Sequence, residues 1–191
     1  MKTVWVSGAS TGIGFATAKK FLNNNWKVII SSSNYEKLLL AKKQLLLKSE
    51  NKELYAYKCD ISDRSQVTET VNKITKQIGN INLAILNAAA YTPNKEQVFS
   101  IQNFEKLIDV NLKGTLFCIE SLINNMKNNQ NHIAIMASPV GYRGLPTGAA
   151  YGLTKAGLIN LAESLFFDLK KEKIKISLIN PGFIESELTK L

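Results

Sequence analysis

The sequence predicts an α/β fold in which a parallel sheet of about six strands carries helices on both faces. Short runs rich in Val, Ile and Leu alternate with longer segments of helical periodicity along the chain. The apolar runs are nearly continuous, which is typical of strands that are buried on both faces of a sheet. Regular alternation of this kind indicates parallel strands joined by helical crossovers, and therefore a doubly wound sheet.

The first strand, Val4–Ser7, precedes a glycine-rich turn and a helix. The turn has the spacing Gly8-x3-Gly12-x-Gly14. Glycine lets the backbone approach a pyrophosphate closely, and the N–H groups at the start of the next helix point toward it. At this place in the chain the turn predicts a dinucleotide site, and a tight turn without a ligand is the alternative.

Two further units of strand and helix follow, with strands predicted at Trp26–Ile30 and Leu54–Lys58. Asn34 is a suitable N-cap for the helix after the second strand. Asp63 and Gln66 are a suitable N-cap and N3 partner for the helix after the third strand. The apolar positions of these two helices are Leu38, Ala41 and Leu45, and then Val67, Val71, Ile74 and Ile78.

The second half of the chain continues the alternation, with strands predicted at Leu83–Asn87, His132–Met136 and Ile174–Ile179. A continuous helix is predicted from about residue 100 toward residue 126. Another helix, which carries Tyr151, extends at helical spacing as far as Leu169.

The chain has 191 residues, of which 45% are hydrophobic, and it contains no internal linker or repeat. This predicts one domain, residues 1–191. Cys59 and Cys118 are too few and too far apart for a disulfide framework or a Cys-x-x-Cys site, so we interpret them as buried apolar residues in a reducing compartment. No apolar run approaches the roughly 20 residues of a membrane span, and no signal peptide precedes the first strand. We therefore expect a cytoplasmic protein.

The net charge of +9, from 24 Lys and Arg against 15 Asp and Glu, suits an anionic partner such as nucleic acid, an acidic carrier protein or a phosphorylated cofactor. Lysines are scattered along helical faces and are not interleaved with aromatic residues, so binding to nucleic acid is not expected. His132, the single histidine, is interpreted as structural, and no metal site is predicted.

Tyr151 and Lys155 are four residues apart in a predicted helix and therefore share one face of it. A cation near a phenol favours the phenolate and lowers the pKa of the phenol from its usual ~10 toward neutrality. The pair is a candidate for general acid/base catalysis, and an ordinary amphipathic helix is the alternative.

Seven short motifs occur in one order along the chain. They are the glycine turn, Asp60 after the third strand, Asn87-Ala88-Ala89 after the fourth, Asn111 in the fourth helix, Ser138 after the fifth strand, Tyr151-x3-Lys155, and Pro181-Gly182 after the sixth strand. Together they resemble the short-chain dehydrogenase/reductase family from residue 1 to the end, and within it most closely the 3-oxoacyl-acyl-carrier-protein reductases. The resemblance implies a Rossmann-type sheet and an enzyme that interconverts a carbonyl and an alcohol of a small molecule by hydride transfer with NAD(P)(H).

The resemblance also implies a role for each of four catalytic residues. Tyr151 exchanges a proton with the substrate oxygen, and Ser138 donates a hydrogen bond to that oxygen as it gains charge. Lys155 holds the nicotinamide ribose and lowers the pKa of Tyr151, while Asn111 orders a water that links Lys155 to solvent. A strand-end hydroxyl at Ser138 and a packing amide at Asn111 are the structural alternatives.

The residues implied to contact the cofactor lie in or beside five of these motifs and at the end of the second strand. Asp60 resembles the residue that meets the adenine amino group, with a cap or turn role as the alternative, and Ile184 and Ser186 resemble the contacts to the carboxamide. The full set is Gly8, Ser10, Thr11, Gly12, Ile13, Gly14, Ser32, Ser33, Asp60, Ile61, Asn87, Ala88, Ala89, Tyr151, Lys155, Pro181, Gly182, Ile184 and Ser186.

The end of the second strand reads Ser31-Ser32-Ser33-Asn34, without the carboxylate that binds the ribose 2′-hydroxyl in many NAD sites. With hydroxyls to bind a 2′-phosphate and no carboxylate to repel it, the sequence favours NADP(H), and NAD(H) is the alternative. The arginine that usually binds the phosphate in the resembled family is missing, and Thr11 stands in its place in the turn.

The sequence departs from the resembled family in two places. Ala89 replaces a glycine beside the cofactor, and the chain stops at Leu191, where relatives continue into a lid and a last strand. We therefore expect that strand to be missing and the site to be less enclosed. A truncated, non-catalytic dinucleotide-binding or interaction protein is the alternative to an enzyme.

Relatives of this kind pack as dimers or tetramers through the helices that bear Asn111 and Tyr151, so a homo-oligomer is expected. The candidate substrate contacts are Tyr91, Tyr142, Arg143 and Leu145, for which roles on the loop surface are the alternative.

Overall fold

The computed structural model describes residues 1–92, 100–126, 131–182 and 184. Its strands are β1 (Thr3–Ser7), β2 (Lys27–Ser32), β3 (Leu54–Lys58), β4 (Leu83–Leu86), β5 (His132–Met136) and β6 (Lys175–Ile179). They form a parallel sheet in the order β3-β2-β1-β4-β5-β6. The chain builds outward from β1 to β3 and then returns to the other side of β1, so the direction of winding reverses between β1 and β4. The predicted fold class is confirmed.

Helices cover both faces of this sheet. They are α1 (Gly12–Asn23), α2 (Tyr35–Leu47), α3 (Arg64–Gln77), α4 (Ile101–Leu107), α5 (Gly114–Met126) and α6 (Ala149–Lys171). Side chains alternate between the faces along each strand. In β1, Val4 and Val6 belong to the apolar cluster that includes residues of α1 and α2, while Trp5 belongs to the larger cluster that includes residues of α3, α5 and α6.

Two helices begin as their local sequence predicts. The Asn34 side chain accepts a hydrogen bond from Lys37 N at 2.9 Å. Asp63 Oδ1 accepts from Ser65 N at 2.9 Å and from Gln66 N at 3.1 Å. The Gln66 amide, however, binds the Asp63 carboxylate and accepts from Asp60 N, so it also ties the end of β3 to the start of α3.

The helix predicted to run without a break from about residue 100 to residue 126 is interrupted. Between α4 and α5 the segment Ile108–Lys113 is a π-helix, whose hydrogen bonds span one more residue than those of an α-helix. Asn111 lies in this segment and is fully buried. The irregular turn therefore gives a buried amide its position against other parts of the chain.

Strand boundaries differ from the prediction by one or two residues. β2 ends at Ser32 instead of residue 30, so Ser31 and Ser32 belong to the sheet. β4 ends at Leu86, one residue early, which leaves Asn87 just beyond the strand. Both differences depend on the pairing partners of the polar residues at these strand ends. Ser31 and Ser32 pair with β3, whereas Asn87 N binds the Ser7 side chain, and the local sequence does not specify these partners.

Candidate active site

The candidate site lies along the edge of the sheet where all six strands end. Parallel strands place their carboxyl ends at one edge, and ligands of such sheets bind where the winding direction reverses. That point lies between β1 and β4, where Gly8 follows one strand and Asn87 follows the other.

The glycine turn after β1 is shaped by two positive φ angles, 63° at Gly8 and 57° at Gly12, where glycine is favoured. A Cβ at Gly8 would lie 2.6 Å from Ala88 Cα, so this turn touches the segment after β4. Helix α1 begins at Gly12, and its N-cap Thr11 makes no side-chain hydrogen bond to the helix. The turn therefore presents the start of α1 at the sheet edge, as a phosphate site requires.

Gly14 is needed for a second close approach. A Cβ at Gly14 would lie 2.7 Å from Asn87 Nδ2 and 2.9 Å from Ala9 Cα, and it would also meet Gly8 O. None of these backbone and amide atoms can move without disturbing the turn itself. Close contacts thus explain Gly8 and Gly14, and a positive φ explains Gly12.

Ser7 is a site residue that the sequence reasoning missed. Its Oγ accepts hydrogen bonds from Asn87 N at 3.0 Å and from Ala88 N at 3.1 Å. In return, Asn87 Nδ2 donates to Ser7 O at 3.1 Å and to Gly8 O at 3.0 Å. A hydroxyl at the end of an otherwise apolar, buried strand was the available signal.

The serines at the end of β2 are not equivalent. Ser31 is buried, and its Oγ accepts a hydrogen bond from Trp5 Nε1 at 3.0 Å. Ser32 Oγ lies 3.2 Å from Ser10 Oγ and accepts from Asn34 N at 3.3 Å. Ser33 is exposed. A hydroxyl pair, Ser10 and Ser32, therefore joins the glycine turn to the end of β2.

Asp60 lies beyond the end of β3, two strands away from β1. Its Oδ1 accepts hydrogen bonds from Ser62 N at 3.0 Å and from Ser62 Oγ at 2.7 Å, and neither bond uses Oδ2. The neighbouring Ile61 is buried, and a Cβ at Gly114 would lie 2.8 Å from its Cδ1. Asp60 thus has a turn-forming role, and a role toward a cofactor stays a prediction for both residues.

Ser138 follows β5 in extended conformation and caps the short 3-10 turn Pro139–Gly141. This turn lies against α6, because a Cβ at Gly141 would lie 2.8 Å from the carbonyl carbon of Lys155. The contact brings Ser138 near Tyr151 on the first turns of α6, close enough for the serine hydroxyl to lower the pKa of the phenol. The sheet edge and α6 are therefore joined at the predicted catalytic hydroxyls.

Lys155 is buried with only 2% of its surface exposed. Its Nζ donates a hydrogen bond to Met136 O at 2.8 Å and lies 5.4 Å from the centroid of the Tyr151 ring. Burial lowers the pKa of Lys155 from its ordinary value of 10.5 to about 8. At neutral pH the group is still mostly an ammonium, but it exchanges its proton more readily than an exposed lysine.

The pKa of Tyr151 differs from the expectation. Burial raises it, the Tyr91 phenol raises it further, and the hydrogen bond with Ser138 lowers it. The prediction of a lowered pKa at Tyr151 is therefore wrong for this arrangement, because burial disfavours the charged phenolate. The neutral phenol is the favoured form of Tyr151.

The amide of Asn111 makes three hydrogen bonds. Its Oδ1 accepts from Ala90 N at 2.7 Å, and its Nδ2 donates to Ala90 O at 3.0 Å and to Thr154 Oγ1 at 3.2 Å. These bonds hold the segment after β4 and the start of α6 together. The amide itself is thus committed to protein partners, and ordering of a water by this residue stays a prediction.

The segment after β6 reaches the same edge, since Ala137 N donates to Ile179 O at 2.8 Å. Pro181 is half-buried and Ile184 is exposed, and no described residue beyond its chain neighbours comes within 4 Å of a Cβ position at Gly182. Ser186, predicted to contact the carboxamide, lies outside the described residues. The structure brings Pro181 and Gly182 to the edge, and their contacts to a cofactor stay predictions.

Several other residues lie away from these contacts or at their margin. His132 starts β5, at the opposite edge of the sheet, and its Nε2 is 2.9 Å from Ser177 Oγ. Tyr142, Arg143 and Leu145 are exposed in the loop before α6. Both cysteines are buried and free. No helix within the described part of the chain has the length and hydrophobicity of a membrane-spanning segment.

Residues 2–191 match the short chain dehydrogenase family, and the chain therefore belongs to it. The chain is 33% identical over 190 residues to a 3-oxoacyl-acyl-carrier-protein reductase from Rickettsia typhi, with 98% of this chain and 75% of that protein covered. It is 28% identical over 189 residues to an uncharacterized oxidoreductase from Staphylococcus epidermidis, with 98% and 80% covered. Among solved structures it is similar to NAD+-bound xylitol dehydrogenase, with a TM-score of 0.88, 27% identity, and 96% and 71% of the two chains covered.

These matches confirm the resemblance that the seven motifs indicated. The chain is an oxidoreductase of the short-chain dehydrogenase/reductase class, which acts on CH–OH and C=O groups. The family membership favours the enzyme over the non-catalytic alternative.

The buried Lys155 predicts a pH-dependent stability. Below about pH 8 the lysine is protonated in the folded and the unfolded state, whereas between about pH 8 and 10.5 only the unfolded state keeps the proton. Unfolding then takes up a proton, so rising pH stabilises the folded state by up to about 3 kcal/mol across this window. Urea unfolding of the wild type and of Lys155→Met at several pH values measures the difference.

The matched control for this experiment is Lys73→Met, because the Lys73 side chain is 58% exposed. We expect its free energy of unfolding to run parallel to that of the wild type across the same pH window. Parallel curves for Lys155→Met would contradict the assigned desolvation of Lys155.

Proposed function

We propose that this enzyme interconverts a carbonyl and an alcohol by hydride transfer with a nicotinamide dinucleotide, and that Tyr151 is its general acid and base. The observation that carries the proposal is the packing of the turn that follows Ser138 on the backbone of α6, beside Tyr151, while Lys155 Nζ lies 5.4 Å from the centroid of the Tyr151 ring. A carbonyl oxygen that gains charge needs a proton donor and a hydrogen-bond partner side by side.

The direction of the pKa shift at Tyr151 supports reduction of a carbonyl. Burial keeps the phenol protonated at neutral pH, which is the form that donates a proton to an oxygen as negative charge develops on it. Ser138 donates a hydrogen bond to the same oxygen in this proposal. The Lys155 ammonium favours the phenolate left after transfer and, with its lowered pKa, returns a proton to it.

The residues at the end of β1 fit the pyrophosphate of a dinucleotide. The turn at Gly8 and Gly12 has left-handed backbone, and the uncapped start of α1 supplies N–H groups. When bound, the dinucleotide supplies or accepts the hydride. In this proposal Asn87, Ala88 and Ala89 line the approach to it from the end of β4, and Lys155 holds its ribose.

NADP(H) is the proposed cofactor, with NAD(H) as the alternative. Ser10 and Ser32 form a hydroxyl pair 3.2 Å apart, and Ser33 is exposed beside them, which suits a 2′-phosphate. The similarity to an NAD+-bound xylitol dehydrogenase supports the alternative. Asp60 and Ile61 are proposed to bind the adenine, and Pro181, Gly182, Ile184 and Ser186 the nicotinamide side.

The proposed substrate is a small molecule with a carbonyl group, and 3-oxoacyl thioesters are the first to test. A relative with 33% identity is a 3-oxoacyl-acyl-carrier-protein reductase. The exposed Tyr142, Arg143 and Leu145, in the loop after Ser138, are available as substrate contacts.

We further propose a cytoplasmic protein that forms one domain and assembles as a dimer or tetramer. Two free, buried cysteines suit a reducing compartment. Helices α5 and α6 carry exposed apolar side chains, including Leu116, Leu153, Phe166 and Phe167, and the last of these is 71% exposed. Patches of this kind favour association between subunits.

Tyr151→Phe tests the acid/base assignment. Without the hydroxyl no proton reaches the substrate oxygen, so turnover should fall by about 100-fold to 10,000-fold while dinucleotide affinity stays unchanged. Steady-state reduction of 3-oxoacyl thioesters and a wider set of carbonyls, together with dinucleotide titration, measures both quantities. Tyr35→Phe, at an exposed tyrosine of α2, is the control.

Retention of turnover in Tyr151→Phe would refute the role given to this phenol. A wild-type enzyme that binds dinucleotide but reduces no carbonyl with NADPH or NADH would instead support the non-catalytic alternative.

Gly14→Ala tests the dinucleotide site. The new Cβ would collide with Asn87 Nδ2, Ala9 Cα and Gly8 O, so we expect the turn to shift and dinucleotide affinity to fall at least about tenfold. Gly144→Ala is the matched control, since no atom lies within 4 Å of its Cβ position. Equal dinucleotide affinity in the two variants would show that the dinucleotide does not bind at the glycine turn after β1.

Ser32→Asp tests the choice between the two cofactors. A carboxylate at this position would repel a 2′-phosphate and accept a hydrogen bond from a 2′-hydroxyl. We expect the ratio of kcat/KM for NADPH to that for NADH to fall by about tenfold or more. The neutral Ser32→Asn should leave this ratio close to the wild-type value. An unchanged ratio in Ser32→Asp would show that the 2′ group of the cofactor does not bind at the end of β2.

A further inference from the structure

The catalytic phenol candidate has an aromatic neighbour from a distant part of the chain. The ring centroids of Tyr91 and Tyr151 are 5.0 Å apart, and the ring planes meet at 71°. This is an edge-to-face pair within the attractive range for aromatic side chains. Tyr91 follows the end of β4 and is half-buried beside the candidate site.

The backbone just before Tyr91 is held by a buried amide. Asn111 Oδ1 accepts from Ala90 N at 2.7 Å, and Asn111 Nδ2 donates to Ala90 O at 3.0 Å. Both polar groups of one peptide residue are therefore bound by one side chain, which restricts rotation of the segment that carries Tyr91. Asn111 is itself fully buried in the π-helical segment.

The same amide is also connected to Tyr151. Asn111 Nδ2 donates its second hydrogen to Thr154 Oγ1 at 3.2 Å, and Thr154 Oγ1 donates to Tyr151 O at 2.8 Å. An amide nitrogen has two hydrogens, so this donor is fully used. Asn111 thus holds the backbone beside Tyr91 directly and the backbone of Tyr151 through Thr154. The two tyrosine rings are in contact with each other.

We propose that Tyr91 is a positioning residue for the reaction: its ring, fixed through Ala90 by the Asn111 amide, holds the Tyr151 ring in its orientation and forms an aromatic wall beside the phenol. The inference rests on the proposed function, because it gives Tyr151 the acid/base role. A residue that touches Tyr151 and not the reacting atoms acts through the orientation of the proton donor.

Two effects of Tyr91 can be separated by substitution. Its ring supplies the packing contact, while its phenol group raises the pKa of Tyr151. The titratable groups beside Tyr151 in the described part of the chain are Tyr91 and Lys155, and the Ser138 hydroxyl lowers the pKa of Tyr151. Tyr91→Phe removes only the hydroxyl, whereas Tyr91→Leu removes the ring as well.

Kinetics of these two variants test the packing role. We expect Tyr91→Leu to lower kcat by about tenfold to 100-fold with unchanged dinucleotide affinity, since a misplaced proton donor slows the chemical step. Tyr91→Phe should restore kcat to near the wild-type value. Thermal unfolding shows whether Tyr91→Leu is folded, and Tyr35→Phe is again the exposed control. An unchanged kcat in folded Tyr91→Leu overturns the proposal.

A titration that needs no turnover tests the contact itself. The pH dependence of tyrosinate absorbance, taken as the difference between the wild type and Tyr151→Phe, reports ionisation of Tyr151. The corresponding difference between Tyr91→Phe and the double variant Tyr91→Phe/Tyr151→Phe reports ionisation of Tyr151 without the Tyr91 hydroxyl. We expect this curve to lie at lower pH, because the Tyr91 hydroxyl no longer raises the pKa of Tyr151.

A difference curve that does not move would show that the Tyr91 phenol does not lie beside that of Tyr151 and would also overturn the proposal. If Tyr151→Phe keeps its turnover, the proposed function fails, yet the shift between the two difference curves still reports on the contact of the two tyrosines. The two failures are therefore distinguishable.

Discussion

The hydrogen bonds between the ends of β1 and β4 are the interaction on which the candidate site depends. Four hydrogen bonds join Ser7 and Gly8 to Asn87 and Ala88 there, and two of them are between Ser7 and Asn87. They hold the glycine turn against the segment after β4, at the point where the sheet changes its winding direction. Without them the close approach of Gly8 to Ala88 would bury backbone N–H and C=O groups that have no hydrogen-bond partner. Each such group would lower the free energy of unfolding.

A second set of contacts builds the catalytic side on the same frame. The 3-10 turn after β5 lies directly on the backbone of α6, which brings Ser138 to Tyr151, and Lys155 reaches back to Met136 O in β5. Burial of this cluster has opposite consequences for its two titratable groups. It raises the pKa of Tyr151 and lowers that of Lys155, because in both cases it disfavours the charged form. The enclosed arrangement therefore favours a neutral phenol beside a readily exchanged ammonium proton.

Asn111 connects these two sets of contacts. Its position in a π-helical turn directs a buried amide to Ala90 on one side and to Thr154 on the other. π-Helical turns are uncommon and occur often at functional sites, since their extra residue displaces side chains from regular helical positions. The amide could have been a simple packing group, but its three hydrogen bonds join the β4 side of the site to α6.

Much of this arrangement could be predicted from local patterns. The apolar runs located all six strands to within one or two residues, and the caps at Asn34 and Asp63 were correctly assigned because an N-cap bonds to the residues that directly follow it. The glycine spacing located the turn after β1. The family followed from seven motifs in one order, and it is confirmed over residues 2–191.

Other features could not be predicted, because they depend on partners that are distant in the sequence. Ser7 acquires its role from Asn87, 80 positions away. The π-helical turn has no periodicity of its own that distinguishes it from the flanking α-helices. The direction of the Tyr151 pKa was predicted wrongly, since the spacing of Tyr151 and Lys155 shows that they share a helical face but not how deeply both are buried.

The sequence by itself therefore determined the order of strands and helices, the glycine turn, the helix caps and the set of chemical groups at the strand ends. These follow from periodicity, from the absence of a Cβ and from hydrogen bonds within a few residues. The tertiary structure decided which of these groups touch, which of the serines at the end of β2 keep a hydroxyl at the site, and which protonation states the burial of α6 favours. Contact and desolvation arise only when separate segments pack together, so no single stretch of the chain encodes them.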